Sequence, residues 1–134
     1  MTDKQLTITM RQLTGLLVSL TIAYILGVIL TTVVNYDPSK HSTLQSTFLI
    51  AHIVVALGVL IGAIIRFVLS LRWKSLRVLS GIGLVSVVGC FGSGDEASKN
   101  GSNIAVLFMA LFFIIAVICY DICFLKLNSH TSNK

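Results

Sequence analysis

The sequence predicts an all-α integral membrane protein, a four-transmembrane-helix up-down bundle with both termini cytoplasmic. Three observations lead there. Only 11% of the 134 residues are charged while 55% are hydrophobic, whereas soluble chains carry about 25% charged residues. Mean hydropathy is +0.93, and apolar runs long enough to cross ~30 Å of hydrocarbon recur four times. Finally, lysine and arginine fall unequally on the two sides that four spans define. Such a length is expected to hold a single membrane domain, 1–134. It leaves no room for a soluble catalytic domain, a nucleotide-binding fold or a transporter built from repeats.

The first span is expected from about Leu13 to Val34, where Asn35-Tyr36-Asp37-Pro38 stops it. Proline cannot continue the hydrogen-bond ladder and pushes the residue before it out of helical space. The polar start, Met1 to Arg11, precedes an apolar run too long for a signal-peptide core, so this span reads as an uncleaved helix. The second span runs from about Thr47 to Leu71 and contains His52 and Arg66. A tight turn, Arg72-Trp73-Lys74-Ser75, leads into the third span, Leu76 to about Phe91. The stretch from Gly92 to Ser102 reads as a flexible loop, rich in glycine, serine and charge. Within it, Asn100-Gly101-Ser102 is either an ordinary Asn-Gly loop or a glycosylation acceptor. The fourth span runs from about Ile104 to Leu125, and a short polar tail follows. Open edges and irregular backbone are excluded from lipid, which makes four helices the economical solution.

Charge placement sets the expected orientation. One side carries Lys4, Arg11, Arg66, Arg72, Lys74, Arg77, Lys126 and Lys134, and the other only Lys40 and Lys99. A bias of eight to two puts both termini in the cytoplasm. The formal net charge of +5 is spread along the edges of apolar segments, so it sets topology and forms no nucleic-acid-binding face. Cys90, Cys119 and Cys123 lie in or at the ends of apolar segments, with no zinc spacing and an odd count. Cys119 and Cys123, sharing a helix face, read as small packing residues. The expected setting is therefore a cell membrane, crossed several times.

Ionisable groups within spans are rare and are functional candidates by default. This chain has three: His52, Arg66 and Asp121. His52 and Met109 each lie about five residues into their spans, on helices that run in the same direction. Both therefore sit ~7–8 Å below the outer boundary. Diagonal helices of a square bundle are roughly 12–14 Å apart. That gap suits a flat macrocycle ligated by imidazole on one face and thioether on the other, and His/Met is a known axial pair for electron-transferring haem. Ala56, Ala63 and Arg66 fall within about 40° of His52 on its helix, and Ala105, Phe113, Ala116 and Tyr120 lie similarly close to Met109. Gly58 and Gly62 form a GxxxG through which another helix can approach, and Gly81, Gly83 and Gly89 thin the third helix.

Plainer readings stand beside these. His52 can hydrogen-bond Ser19, Thr21 or Ser86 on a neighbouring helix, and Met109 can be a gap-filler. Arg66 can snorkel to the interface or form a structural ion pair with Asp121. Asp121 projects about 120° away from Met109, so both cannot face the bundle axis. It is equally free to face another helix or another subunit.

The order of these features, with Phe48-Leu49-Ile50-Ala51-His52 opening the second helix, glycines and Arg66 toward its inner end, and a glycine-rich third helix, resembles small four-helix haem-binding membrane proteins. The closest likeness is to half of a haem A synthase-type bundle. It extends over the layout of about 110 residues, and His52 is the one direct match to a ligand residue. The resemblance implies haem b in the outer half, ligated from the second and fourth helices. That family has a second histidine on the fourth helix where this chain offers Met109, so haem synthesis itself is not implied. His52 and Met109 are accordingly the expected haem-iron ligands, His41 folding back from the outer loop or a five-coordinate iron being the alternatives to Met109, with Lys40, His41 or Lys99 near the propionates.

Two functions follow as expectations. The first is a small membrane cytochrome b passing electrons between a quinone or redox partner and a larger complex. The second is a non-catalytic accessory subunit of a multi-subunit membrane complex, or a homo-oligomer, without a cofactor of its own. Neither makes the chain an enzyme by itself.

Overall fold

The computed structural model describes residues 3–32, 43–100 and 102–132. They form α1 (Asp3–Thr32), α2 (Thr43–Ser70), α3 (Lys74–Asn100) and α4 (Asn103–Ser132), with no strand among the described residues. Each helix contains a segment long and apolar enough to cross a membrane: Gln5–Leu30, Thr43–Ser70, Leu76–Ala97 and Asn103–Ser129. The chain is thus an all-α four-helix bundle with the character of a multi-pass membrane protein. Residues 33–42, which include the expected Asn35–Pro38 stop, Lys40 and His41, lie outside the described residues, as do Gly101 and Lys134.

Neighbours in sequence are neighbours in space. Helix α1 packs on α2 and α4, and α3 packs on α2 and α4, while the α1/α3 and α2/α4 diagonals make no contact among the described residues. This is the up-down order that short connections impose. One end of the bundle carries the start of α1, the end of α4 and the α2–α3 turn, and is called the terminal end below. The opposite end is the distal end. At the terminal turn Trp73 N donates to Ser70 O at 2.9 Å, and Trp73 O then accepts from Leu76 N and Arg77 N at 3.1 and 3.0 Å. Trp73 therefore closes α2 and opens α3, where the tight turn was expected. Helix α4 opens on Ser102, whose Oγ accepts from Ala105 N at 3.3 Å, satisfying one of the amides orphaned at a helix start.

The outer surface is apolar on every helix. Val18 and Ile25 of α1, Val54 and Ile61 of α2, Val85 of α3 and Leu107 of α4 are all exposed. A helix that is apolar all round is stable only in lipid or in a large protein interior. Inside, Leu13, Leu16, Leu20, Ala63, Leu76, Ala116, Tyr120, Cys123 and Leu127 form one contiguous buried cluster. Most of it lies toward the terminal end. Lipid tails are as apolar as leucine, so close contact between small and large side chains, more than water exclusion, holds such a cluster together. Gly83 shows it: a Cβ there would lie 2.8 Å from Tyr120 Cζ. At Gly89 a Cβ would lie 2.8 Å from Phe112 Cδ2.

Three boundaries differ from expectation. Helix α1 begins at Asp3 and not near Leu13, so most of the polar start is helical. Helix α3 does not stop near Phe91 but continues to Asn100, so Gly92 to Asn100 is helical and is not a flexible loop. Its turns are held by side chains four residues apart: Lys99 Nζ to Asp95 Oδ2 at 2.7 Å, and Asn100 Nδ2 to Glu96 Oε1 at 2.5 Å. Such pairs support an exposed helix. Ser93 Oγ adds a bond to Gly89 O at 2.6 Å. Helix α4 likewise continues past Leu125 to Ser132, so the expected polar tail is largely a helical extension.

Candidate functional site

In the distal half the bundle centre is not filled. A cavity of about 320 Å³ lies there, lined by residues of all four helices. That volume is at the lower end of the ~300–1,000 Å³ typical of small-molecule sites. Leu20, Ala23 and Tyr24 come from α1; Leu49, His52, Ile53, Ala56 and Val59 from α2. Val87, Cys90, Phe91, Gly94 and Asp95 of α3 and Met109 and Phe113 of α4 complete the wall. The lining is apolar apart from His52, Cys90, Tyr24 and the rim residue Asp95.

His52 is fixed by α1. Its Nδ1 lies 2.9 Å from Ala23 O. A carbonyl oxygen can only accept, so Nδ1 carries the hydrogen and donates it. In the neutral ring this leaves the lone pair on Nε2. Metal-bound histidines are held in the same way, with the distal ring N–H given to a carboxylate, water or backbone carbonyl. The serine and threonine partners considered from sequence are not used. Thr21 Oγ1 bonds Leu17 O at 2.9 Å and Ser86 Oγ bonds Ile82 O at 2.9 Å, each within its own helix.

Met109 reaches the same place from the opposite corner. A Cβ at Gly27 would lie 3.2 Å from His52 Cε1 and 3.5 Å from Met109 Cε, and a Cβ at Gly94 would lie 3.6 Å from Met109 Sδ. Imidazole and thioether therefore converge on one glycine of α1, although the backbones of their helices stand diagonally and make no close approach. The helical-wheel faces hold as well: Ala105, Ala116 and Tyr120 are buried on the Met109 side of α4, and Ala63 and Arg66 on the His52 side of α2. Tyr24 and Phe113 stack with ring centroids 4.1 Å apart and planes 10° from parallel, forming a flat aromatic wall between α1 and α4. Cys90 Sγ approaches Met109 O at 3.4 Å, which secures the backbone behind the thioether.

Arg66 and Asp121 are not brought together. Arg66 does not snorkel; it is only 2% exposed. Its Nε, Nη1 and Nη2 have no hydrogen-bond partner. Asp121 lies on the outer face of α4, so the proposed ion pair is absent. The reason is rotational: buried Tyr120 and Cys123 occupy the inward face of this turn, which turns Asp121 outward. Cys119 and Cys123 are buried packing residues as expected.

At the distal rim Lys99 is engaged with Asp95, and that carboxylate raises the lysine above its ordinary range, hydrogen bonding first and charge second. Sequence reasoning missed Ala23, Tyr24, Gly27 and Cys90. Of these, Tyr24 and Gly27 carried a usable signal, being a polar aromatic and a glycine one turn apart in an otherwise aliphatic run. Among the described residues no three histidine, cysteine or acidic side chains cluster as a metal centre. Compared with known proteins, the chain matches no family model, no curated protein and no solved structure.

Proposed function

We propose that the chain is a small membrane cytochrome b-like protein that holds haem b in the distal cavity for electron transfer. The observation that carries this reading is the His52 Nδ1–Ala23 O bond. It commits the ring's hydrogen to α1 and leaves Nε2 as a donor atom in an apolar, four-helix-lined cavity. Such a site suits a group that needs one or two axial ligands and low-dielectric walls. His52 and Met109 would hold the iron, the thioether reaching it by turning on three flexible bonds. Gly27 leaves space beside both side chains, and Gly94 beside Met109. Tyr24 and Phe113 offer a flat face, and Cys90 steadies the Met109 turn. When bound, haem supplies a one-electron couple whose potential methionine ligation raises. The layout-level resemblance to half of a haem A synthase-type bundle points the same way. Lys99 is engaged by Asp95, so it reaches a propionate only by leaving that partner.

The test is an absorption spectrum of detergent-purified protein with haem supplied during expression. A sharp Soret band is expected from the native chain and its loss from His52→Ala. Met109→Leu is expected to keep the band and lower the midpoint potential on the order of 100 mV, within the ~0.8 V range axial ligands set. A chain that folds yet shows no Soret band, or a band unaltered in His52→Ala, ends this proposal.

The eight-to-two distribution of lysine and arginine supports a cell-membrane location with the terminal end in the cytoplasm. A maleimide that cannot cross the bilayer should then label Asn103→Cys, and not Asn128→Cys, from outside intact cells. The electron partner is a quinone or a redox protein of a larger complex. One observation favours a second reading, that of an accessory subunit or homo-oligomer. Asp121 is exposed beside Ile118, Ile122 and Leu125, which are exposed too, and a carboxylate facing lipid is costly unless another chain receives it. Co-extraction of a larger chain in mild detergent, lost in Asp121→Leu, is the expected result on that reading.

A further inference from the structure

The terminal half of the bundle buries a cation without an anion. Arg66 is almost wholly enclosed, and its three guanidinium nitrogens have no hydrogen-bond partner. Against it from α4 lie the Cys123 thiol and the Tyr120 phenol, and the Tyr120 hydroxyl is itself unpartnered. Ser80 of α3, fully buried, brings its Oγ to 3.8 Å from Cys123 Sγ. Among the described residues the one ion pair is Lys99–Asp95 at the distal end, and Asp121 faces outward. Leaving one charge buried and unpaired is strongly destabilising. The groups beside Arg66 that can become anionic are thus a thiol and a phenol, and a thiol ionises the more readily of the two. Cys123 also has a companion: Cys119 precedes it by one turn of α4, is buried too, and lies within electrostatic reach of it. Side chains four residues apart on a helix have Cβ atoms about 5–6 Å apart, so two sulfurs can close on one small ion between them.

We propose that Cys119 and Cys123 bind a soft monovalent metal ion, copper(I), between their two sulfurs, with Arg66 as the counter-charge. Soft thiolate ligands select such an ion. Binding exchanges protons for metal: one monovalent ion and two thiols give a bis-thiolate with one net negative charge and two released protons, and no oxidation state changes. The guanidinium carries the opposite charge, so the buried layer becomes neutral when the ion is in place. Arg66 and Ser80 are then the donors to the Cys123 sulfur, a charge-assisted bond in the first case. A divalent ion such as zinc(II) forms a neutral bis-thiolate and leaves Arg66 uncompensated, so charge balance selects the monovalent ion. The pair is also reachable. Cys123 lies three residues, about 4–5 Å, inward of exposed Lys126, less than one turn from the terminal surface. It stands 14 residues from Met109, about 21 Å along α4, and is thus separate from the distal cavity.

The experiment uses the full chain, purified without oxygen in a maltoside detergent and equilibrated with copper(I) buffered by bicinchoninate. Affinity, the mass of the intact protein and the copper X-ray absorption spectrum are read. One copper per chain is expected, with loss of two protons and with two sulfurs and no nitrogen on the metal. Cys119→Ser and Cys123→Ser are each expected to abolish that binding. Should one of them not fold, the other decides, together with the proton count of the native chain. Arg66→Met keeps both sulfurs and is expected to weaken copper(I) about 10- to 100-fold, as loss of a ligand's outer partner does. Its preference for copper(I) over zinc(II) is expected to narrow by a similar factor, which a merely structural arginine would leave alone. No copper on the native chain, or copper retained in a folded serine variant, overturns the proposal. Copper held through nitrogen and lost in His52→Ala assigns the metal to the distal cavity and overturns it as well. An unaltered affinity and preference in Arg66→Met overturns the role of the guanidinium.

Discussion

The distal half of the bundle holds an imidazole beside a cavity of about 320 Å³, whereas the terminal half holds a guanidinium walled in by fully buried Tyr120, Cys123 and Ala63. Both groups project from α2, 14 residues apart in the sequence and on the same face of that helix. The imidazole has its hydrogen bond and lacks a ligand on its other nitrogen. The guanidinium has only the Cys123 thiol and the Tyr120 phenol beside it and no carboxylate among the described residues. The difference lies in what α1, α3 and α4 bring to each level. At His52, Gly27 and Gly94 leave space and Ala23 offers a carbonyl. At Arg66, leucines and a tyrosine close the core and no acceptor is presented. One helix face can therefore serve two chemistries, because the partners, and not the face, set the polarity of each layer.

The contrast can be broken most severely at Gly83. A leucine there must occupy the space of the Tyr120 ring, which is 0% exposed and has nowhere to go. Overpacking of this kind costs about 1–3 kcal/mol or more. Reversible unfolding in mixed detergent should show Gly83→Leu near or beyond the upper figure. A leucine at Gly58, facing open space, should change stability by less than about 0.5 kcal/mol. If the two variants were equally stable, the terminal half would not be the solid layer described.

The next largest effect is expected at Arg66. Replacing even a paired buried charge by apolar side chains of similar volume is often neutral or stabilising by about 1–4 kcal/mol, and a guanidinium without a counter-charge has no ion-pair attraction to lose. In oxyanion-free detergent Arg66→Met should therefore be more stable than the native chain. A loss of stability would mean that the arginine is satisfied by something within the chain.

Smaller effects sharpen the distal side. Gly27→Ala puts a methyl 3.2 Å from His52 Cε1, tight enough to shift the ring from Ala23 O. Haem affinity in a Soret titration should fall about tenfold, the lower end of what loss of a ligand's outer partner does, with the fold intact by circular dichroism. Lys99→Ala removes an exposed i,i+4 partner of Asp95, a kind of pair that often contributes nothing measurable. Its Tm should stay within error of the native value, and haem uptake should fall modestly, since Asp95 at the cavity rim then faces the propionates without its cation.

Much of this was legible in the sequence. The four spans, their alternation and the depth match of His52 with Met109 follow from run length and helical rise, and the structure brings those two side chains to one glycine. The outward turn of Asp121 followed from its angle to Met109. The length of α3 did not, because Gly92 and Gly94 read as loop residues when one of them is a contact surface for Met109 Sδ. Helix propensity counts glycine as a breaker without regard to what packs on it. The burial of Arg66 was obscured by a conflict: the wheel turned it inward with His52, while hydration energy argued for the interface. Geometry prevailed: Arg66 is 2% exposed, held against Tyr120 and Cys123 of α4. The Ala23 carbonyl was invisible, since any residue would have supplied it.

That last feature has an evolutionary side. The imidazole is anchored by a peptide group, so no codon change at Ala23 can delete its acceptor, and the ring's tautomer is inherited with the placement of α1 itself. Drift along that helix can lengthen or tilt the anchor but cannot abolish it while the helix stands. Variation among descendants of this chain should therefore be tolerated at Ala23, so long as small residues persist, and be punished at Gly27, where added bulk dislodges the ring.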